Sequence, residues 1–115
     1  MFKEKYEDGR KPLMVENLDA FAFEQKLKDD ENGVLIDVRT PMEHQQKRIP
    51  DSILVDISNP QFLSEINKLD KSKNYYLYCR SGNRSYQAGQ LMIKLGFTTI
   101  YNLRSGILDW DEPLE

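Results

Sequence analysis

Two short, almost uninterrupted apolar runs limit what this chain can become. Val34-Leu35-Ile36-Asp37-Val38 and Tyr75-Tyr76-Leu77-Tyr78 read as strands covered on both faces, the pattern of a parallel sheet. Helical signals alternate with them. Asp19 predicts an N-cap before a helix that places Phe23 and Leu27 on one face. Thr40-Pro41-Met42-Glu43 supplies a cap, a proline suited to the first helical position and a glutamate able to reach back to the cap. Asn59-Pro60 opens a third helix with Phe62, Ile66 and Leu69 aligned. A fourth is expected over 84–95, with Ala88, Leu91, Met92 and Leu95 in one stripe and Gly96 as its stop. Further strands are expected at 13–18, 53–55 and 99–101, and a short turn or helix over 106–110. Strands alternating with helices predict an α/β fold, a parallel sheet with helices on both faces.

The chain has 115 residues, enough for one domain and too few for two. That domain is expected over 13–115, preceded by a polar arm over 1–12 that ends in Pro12. A net charge of −3 with no long Lys/Arg block argues against a nucleic-acid partner. No apolar stretch is long enough to span a membrane, and the charged start carries no export signal. The single cysteine forms no internal disulfide, no Cys-x-x-Cys pair and no cysteine-based zinc site. The reading is therefore cytoplasmic, without metal or cofactor.

That cysteine is placed with care. Cys79 follows the apolar run directly and opens Cys79-Arg80-Ser81-Gly82-Asn83-Arg84, a short glycine-containing turn leading into a helix. Cations and a helix N-terminus lower a thiol's pKa, and the thiolate is the nucleophile. Successive backbone N–H groups around such a turn form an anion cradle. Ligand sites of open α/β sheets lie beyond the strand C-termini, which is where Cys79 falls. Arg84, at the positive end of a helix, makes sense if an anion occupies the cradle. Arg80 has weaker claims. Ser81, Asn83 and Ser85 can donate to an anion, although capping suits Ser85 better. Gly82 allows a positive φ and close approach of backbone to ligand.

Other candidates lean structural, with Asp37 left open. Asp37 and Arg39 flank Val38 at a strand end, where they form an ion pair or line the site mouth. His44, the only histidine, lies on a charged helix beside Glu43 and Gln45 and reads as solvated rather than as a catalytic base. Trp110 and the three tyrosines of the apolar run read as packing.

These residues resemble the rhodanese (sulfurtransferase) family in its single-domain form, over about residues 15 to 110. The loop Cys79 to Arg84, followed by Ser85, is similar to the family's active-site loop. Leu35-Ile36-Asp37-Val38-Arg39 with Glu43, and Leu95-Gly96-Phe97 through Leu103, Gly106 and Trp110, are similar to its two flanking signatures. The chain departs from them at Lys47-Arg48-Ile49-Pro50-Asp51-Ser52, where the family usually has Gly-His-Ile-Pro-Gly-Ala, and at Ser105-Gly106 in place of Gly-Gly. Both departures bear on turn geometry.

The resemblance implies a rhodanese-like three-layer sandwich, a central, mostly parallel five-stranded sheet flanked by helices. It implies a sulfurtransferase in which Cys79 takes sulfur from an anionic donor such as thiosulfate. The resulting persulfide would pass it to cyanide, a small thiol or a thiol protein. Arg80, Ser81, Gly82, Asn83, Arg84 and Ser85 would hold the donor, with Asp37 and Arg39 in support. Three alternatives stand beside this reading. A cysteine phosphatase loop also runs from cysteine to arginine, but with one more intervening residue. A non-enzymatic binding module would not need Cys79. A carrier devoted to one protein acceptor would keep the whole loop.

Overall fold

The computed structural model describes residues 13–115, so the expected polar arm over 1–12 lies outside the described residues. Five strands and four helices alternate: β1 (Glu16–Leu18), α1 (Ala20–Lys28), β2 (Gly33–Asp37), α2 (Pro41–Gln46), β3 (Ile53–Leu54), α3 (Phe62–Asn67), β4 (Asn74–Tyr78), α4 (Asn83–Lys94) and β5 (Ile100–Leu103). A 3-10 turn at Ile107–Asp109 follows. The sheet order is β1-β5-β4-β2-β3, and every pair is parallel. The expected "mostly parallel" sheet is thus wholly parallel. β4 lies at its centre, with Tyr76 paired to Leu35 on one side and to Tyr101 on the other.

Local signals account for most boundaries. Asp19 accepts from the Ala22 N–H at 2.8 Å and starts α1. Thr40 and Glu43 form the reciprocal box that starts α2. Gly82 precedes α4, which gives way at Leu95 and Gly96. The outer strands are shorter than their apolar patterns, and among the described residues β1 and β3 each pair on one side only. Asn59 initiates a turn rather than α3 itself: its carboxamide accepts from Gln61 and its carbonyl from Phe62.

Alternation along β4 divides the core in two. Tyr75, Leu77 and Cys79 face one side with Phe62 and Ile66 of α3 and Ala88 and Met92 of α4. Tyr76 and Tyr78 face the other with Phe23 of α1, Ile49 and Leu103. Helices therefore cover both faces, and the run Tyr75 to Cys79 has no wet side. Phe23 packs edge-on against Tyr76 and Trp110 at 5.5 and 6.1 Å between centroids. Phe23 and Tyr76 are fully buried, Trp110 partly so, and each fully buried ring supplies about 1.5–3 kcal/mol of transfer free energy. Trp110 and the tyrosines are packing residues, as expected. Among the described residues no helix is long and apolar enough to cross a membrane.

Candidate active site

β4 carries the chain out of the sheet at Tyr78, and Cys79 follows with only 1% of its surface exposed. The chain then reverses tightly into α4. The turn requires φ +100° at Gly82, and a Cβ there would lie 1.9 Å from the Arg104 carbonyl oxygen. Gly106, at φ +73°, is the counterpart, since its Cβ would lie 2.1 Å from the Arg80 oxygen. No side chain fits either place. The segment after β5 also ties down the loop by backbone bonds, Ile107 N–H to the Cys79 carbonyl at 2.9 Å and Leu108 N–H to the Arg80 carbonyl at 3.2 Å.

The Cys79 sulfur lies among donors. The Gly82 N–H donates to Sγ at 3.1 Å and the Ser85 hydroxyl lies 3.4 Å away. Burial pushes the thiol pKa up, but hydrogen bonds from the Ser85 hydroxyl and from the Ser85, Gly82 and Ser81 backbone outweigh it. The net shift is downward, because bonds to a charged form favour that form. The N-terminus of α4 adds its dipole in the same sense. The result is a buried sulfur prepared to be an anion.

The loop residues differ in where they stand. Arg80, Ser81 and Asn83 are exposed around the turn, whereas Gly82 and Ser85 are buried. Ser85 does not cap α4: the helix begins at Gly82 without a side-chain cap, and the Ser85 hydroxyl points to Cys79 and the Gly82 carbonyl. Arg84 is not free over the cradle. Its Nη1 and Nη2 donate to the two Glu43 oxygens at 2.9 and 3.1 Å. The Arg84 guanidinium, with Thr40, holds the Glu43 carboxyl down at about 2. Glu43 raises the Arg84 pKa most, and Cys79 and Asp37 add to the rise, so this charge is felt at the thiol.

Beyond the pair lies a buried network. Asp37 is wholly enclosed. It accepts from Arg39 Nε and Nη2 at 2.9 and 2.8 Å and from the Tyr78 hydroxyl at 3.1 Å, and His44 Nδ1 lies 2.9 Å away. Burial opposes its ionisation, but the Arg39 side chain and backbone N–H together with His44 hold its carboxyl below the usual range. His44 is therefore not a solvated side chain, contrary to the expectation from its charged helix; it turns inward onto a carboxylate seven residues earlier. Asp37 and Arg39 form the ion pair rather than lining the mouth. Arg39 also donates to the Lys47 carbonyl at 2.6 Å, which ties β2 to the end of α2.

Two residues have partners here that the sequence does not show. Glu43 caps α2, as its sequence predicts, and also holds the loop's last arginine. Asn102 is 1% exposed, and its Nδ2 donates to Asn17 at 2.9 Å and to the Gly82 carbonyl at 3.1 Å. The expected strand stopped at 101. The available signal was a lone amide between Tyr101 and Leu103, where a buried strand favours apolar residues. A shallow polar groove beside the loop is lined by Gly82, Asn83, Tyr86, Gln87, Asn102 and Arg104.

Residues 22–113 match the family described as Rhodanese-like domain. The chain belongs to the rhodanese family. It is 38% identical over 99 residues to a sulfurtransferase of Allochromatium vinosum, covering 84% of this chain and 89% of that one. It is 31% identical over 81 residues to the thiosulfate sulfurtransferase GlpE of Pseudomonas syringae pv. syringae, covering 70% and 74% respectively. A crystal structure of a rhodanese-related protein from Thermoplasma volcanium superposes with a TM-score of 0.75 at 26% identity, over 88% of this chain and 98% of the other. Against the rhodanese pattern, the departure at Asp51 has a visible consequence. Asp51 adopts φ +68°, a left-handed conformation that glycine takes without steric penalty. The turn is kept and the residue is strained.

Proposed function

We propose that this rhodanese moves a sulfane sulfur from an anionic donor such as thiosulfate to a thiophilic acceptor through a persulfide on Cys79. One observation carries the reading: a nearly inaccessible sulfur that accepts a hydrogen bond from the Gly82 N–H and lies beside the Ser85 hydroxyl. A group buried to this degree is reached by a terminal atom, such as the outer sulfur of thiosulfate. A phosphoryl centre, hemmed in by its oxygens, would need a wider cradle, so the phosphatase alternative is disfavoured.

The Cys79 thiolate attacks the donor's outer sulfur. A new S–S bond forms, the donor's own S–S bond breaks, and sulfite leaves with the electron pair. The negative end of the Cys79 persulfide is then stabilised by the loop N–H groups and the α4 dipole. Cyanide or a thiolate attacks the terminal sulfur and becomes thiocyanate or a new persulfide, and the Cys79 thiolate is restored. Arg80, Ser81 and Asn83 are the exposed groups available to the donor's sulfonate oxygens. Arg84, held on Glu43, contributes positive charge from its fixed position, and Ser85 and Gly82 serve the sulfur itself. The domain over 13–115 needs no second thiol for this cycle, and a reducing compartment such as the cytoplasm suits its free cysteine.

Intact mass after thiosulfate treatment tests the reading. The expected result is a gain of one sulfur atom, reversed by cyanide and absent in Cys79→Ala. A gain in Cys79→Ala, or none in the native protein with any sulfane donor, would overturn it.

A further inference from the structure

Asn102 is hard to explain as packing. It occupies an interior position of β5, between the buried Ile100 and Leu103, and its Oδ1 is buried with no partner among the described residues. Exchanging the two amide atoms would bring oxygen against the Gly82 and Asn17 oxygens, so the orientation is forced. A buried polar atom without a partner destabilises a protein, and an apolar residue would avoid that cost. What the amide obtains is its bond to the Gly82 carbonyl. The N–H of the same residue donates to Cys79 Sγ.

We propose that Asn102 is a positioning residue: through the Gly82 carbonyl it fixes the orientation of the loop, so that the Gly82 N–H stays directed at the Cys79 sulfur. Several constraints converge on this residue. The Gly82 carbonyl also faces the Ser85 hydroxyl at 3.3 Å and starts α4 by accepting from Tyr86 at 3.1 Å. A Cβ on Gly82 would meet the Arg104 carbonyl oxygen, two residues beyond Asn102, at 1.9 Å. Without the amide, the left-handed turn at Gly82 keeps a wall on one side and loses its hold on the other. The sulfur then loses a well-aimed donor to its charged form. The inference rests on Cys79 acting as a thiolate, but its test reads thiol acidity and not sulfur transfer, so it can fail while the proposed function stands.

The experiment is the pH dependence of Cys79 alkylation by iodoacetamide in the native chain, Asn102→Ala and Asn102→Ser. Serine is one bond too short to reach the Gly82 carbonyl and is the milder variant if alanine does not fold. Both are expected to raise the thiol pKa by about one unit, a tenfold loss of thiolate well below that pKa, with the native rate recovered in alkali. Ile66→Val, which trims the core beneath α3, is the destabilised control and should keep the native profile. A folded Asn102 variant with the native alkylation profile would overturn the proposal. So would a shift of equal size in Ile66→Val, since general loosening would then account for the effect.

Discussion

Glu43→Gln is the most informative perturbation of this domain, because it removes one charge and little else. Glutamine keeps the length and can still complete the helix cap with Thr40. What it loses is the two-pronged pairing with Arg84. The folded carboxyl titrates at about 2 against an ordinary 4.5, a gap of about 2.5. At 1.36 kcal/mol per pH unit the full value is about 3 kcal/mol. The side chains of Arg84 and Glu43 are 36% and 27% exposed, and solvent screening reduces this to about 1–2 kcal/mol. The folded-state value lies below the unfolded one, so the stabilisation is fully present above about pH 4.5. It is lost as the pH falls through the folded value near 2. Urea unfolding of the native chain and Glu43→Gln at pH 7, 5 and 3 measures this directly. A difference of about 1–2 kcal/mol at pH 7 should persist at pH 5 and shrink at pH 3. A difference independent of pH would refute the charge argument and leave only a shape effect. Combining the change with Arg84→Met in a double-mutant cycle should recover most of the difference as coupling.

Two further outcomes follow from backbone geometry. Gly106→Ala should abolish ordered packing of the cysteine loop, because the added Cβ would lie 2.1 Å from the Arg80 oxygen and 2.5 Å from the Ser81 nitrogen. Sulfur loading and folded signal in the near-UV should fall together, and a variant with native loading would show that the loop can move aside. Asp51→Gly relieves a left-handed aspartate and should stabilise the domain by about 1 kcal/mol; a lower midpoint in urea would show that Asp51 makes a contribution its φ conceals.

The fold was legible because its signals are local. Thr40-Pro41-Met42-Glu43 and Asp19 announce helices through bonds that span three residues, and β2 and β4 declare burial on both faces. The thiol's place at the end of β4 was legible for the same reason. What escaped the sequence depends on contacts across the chain. His44 faces solvent by its neighbours' character, yet Asp37 turns it inward. Arg84 meets Glu43 across 41 residues of sequence. Ser85 has the chemistry of a cap, but Gly82 already starts the helix and leaves the hydroxyl to the sulfur. What Asn102 and Gly106 touch emerges only when β5 is laid beside β4.

The dependence on β5 gives the thiol a place in the order of synthesis. Asn102, Arg104, Gly106 and the amides of Ile107 and Leu108 all leave the ribosome after Cys79, more than twenty residues downstream. Parallel strands pair late, because each crossover must close before its contacts form. Until this downstream segment has docked, the loop around Cys79 lacks the Arg104 wall and the backbone bonds from Ile107 and Leu108. On the role proposed for Asn102, the thiol gains its full acidity only when the segment that walls the loop has docked.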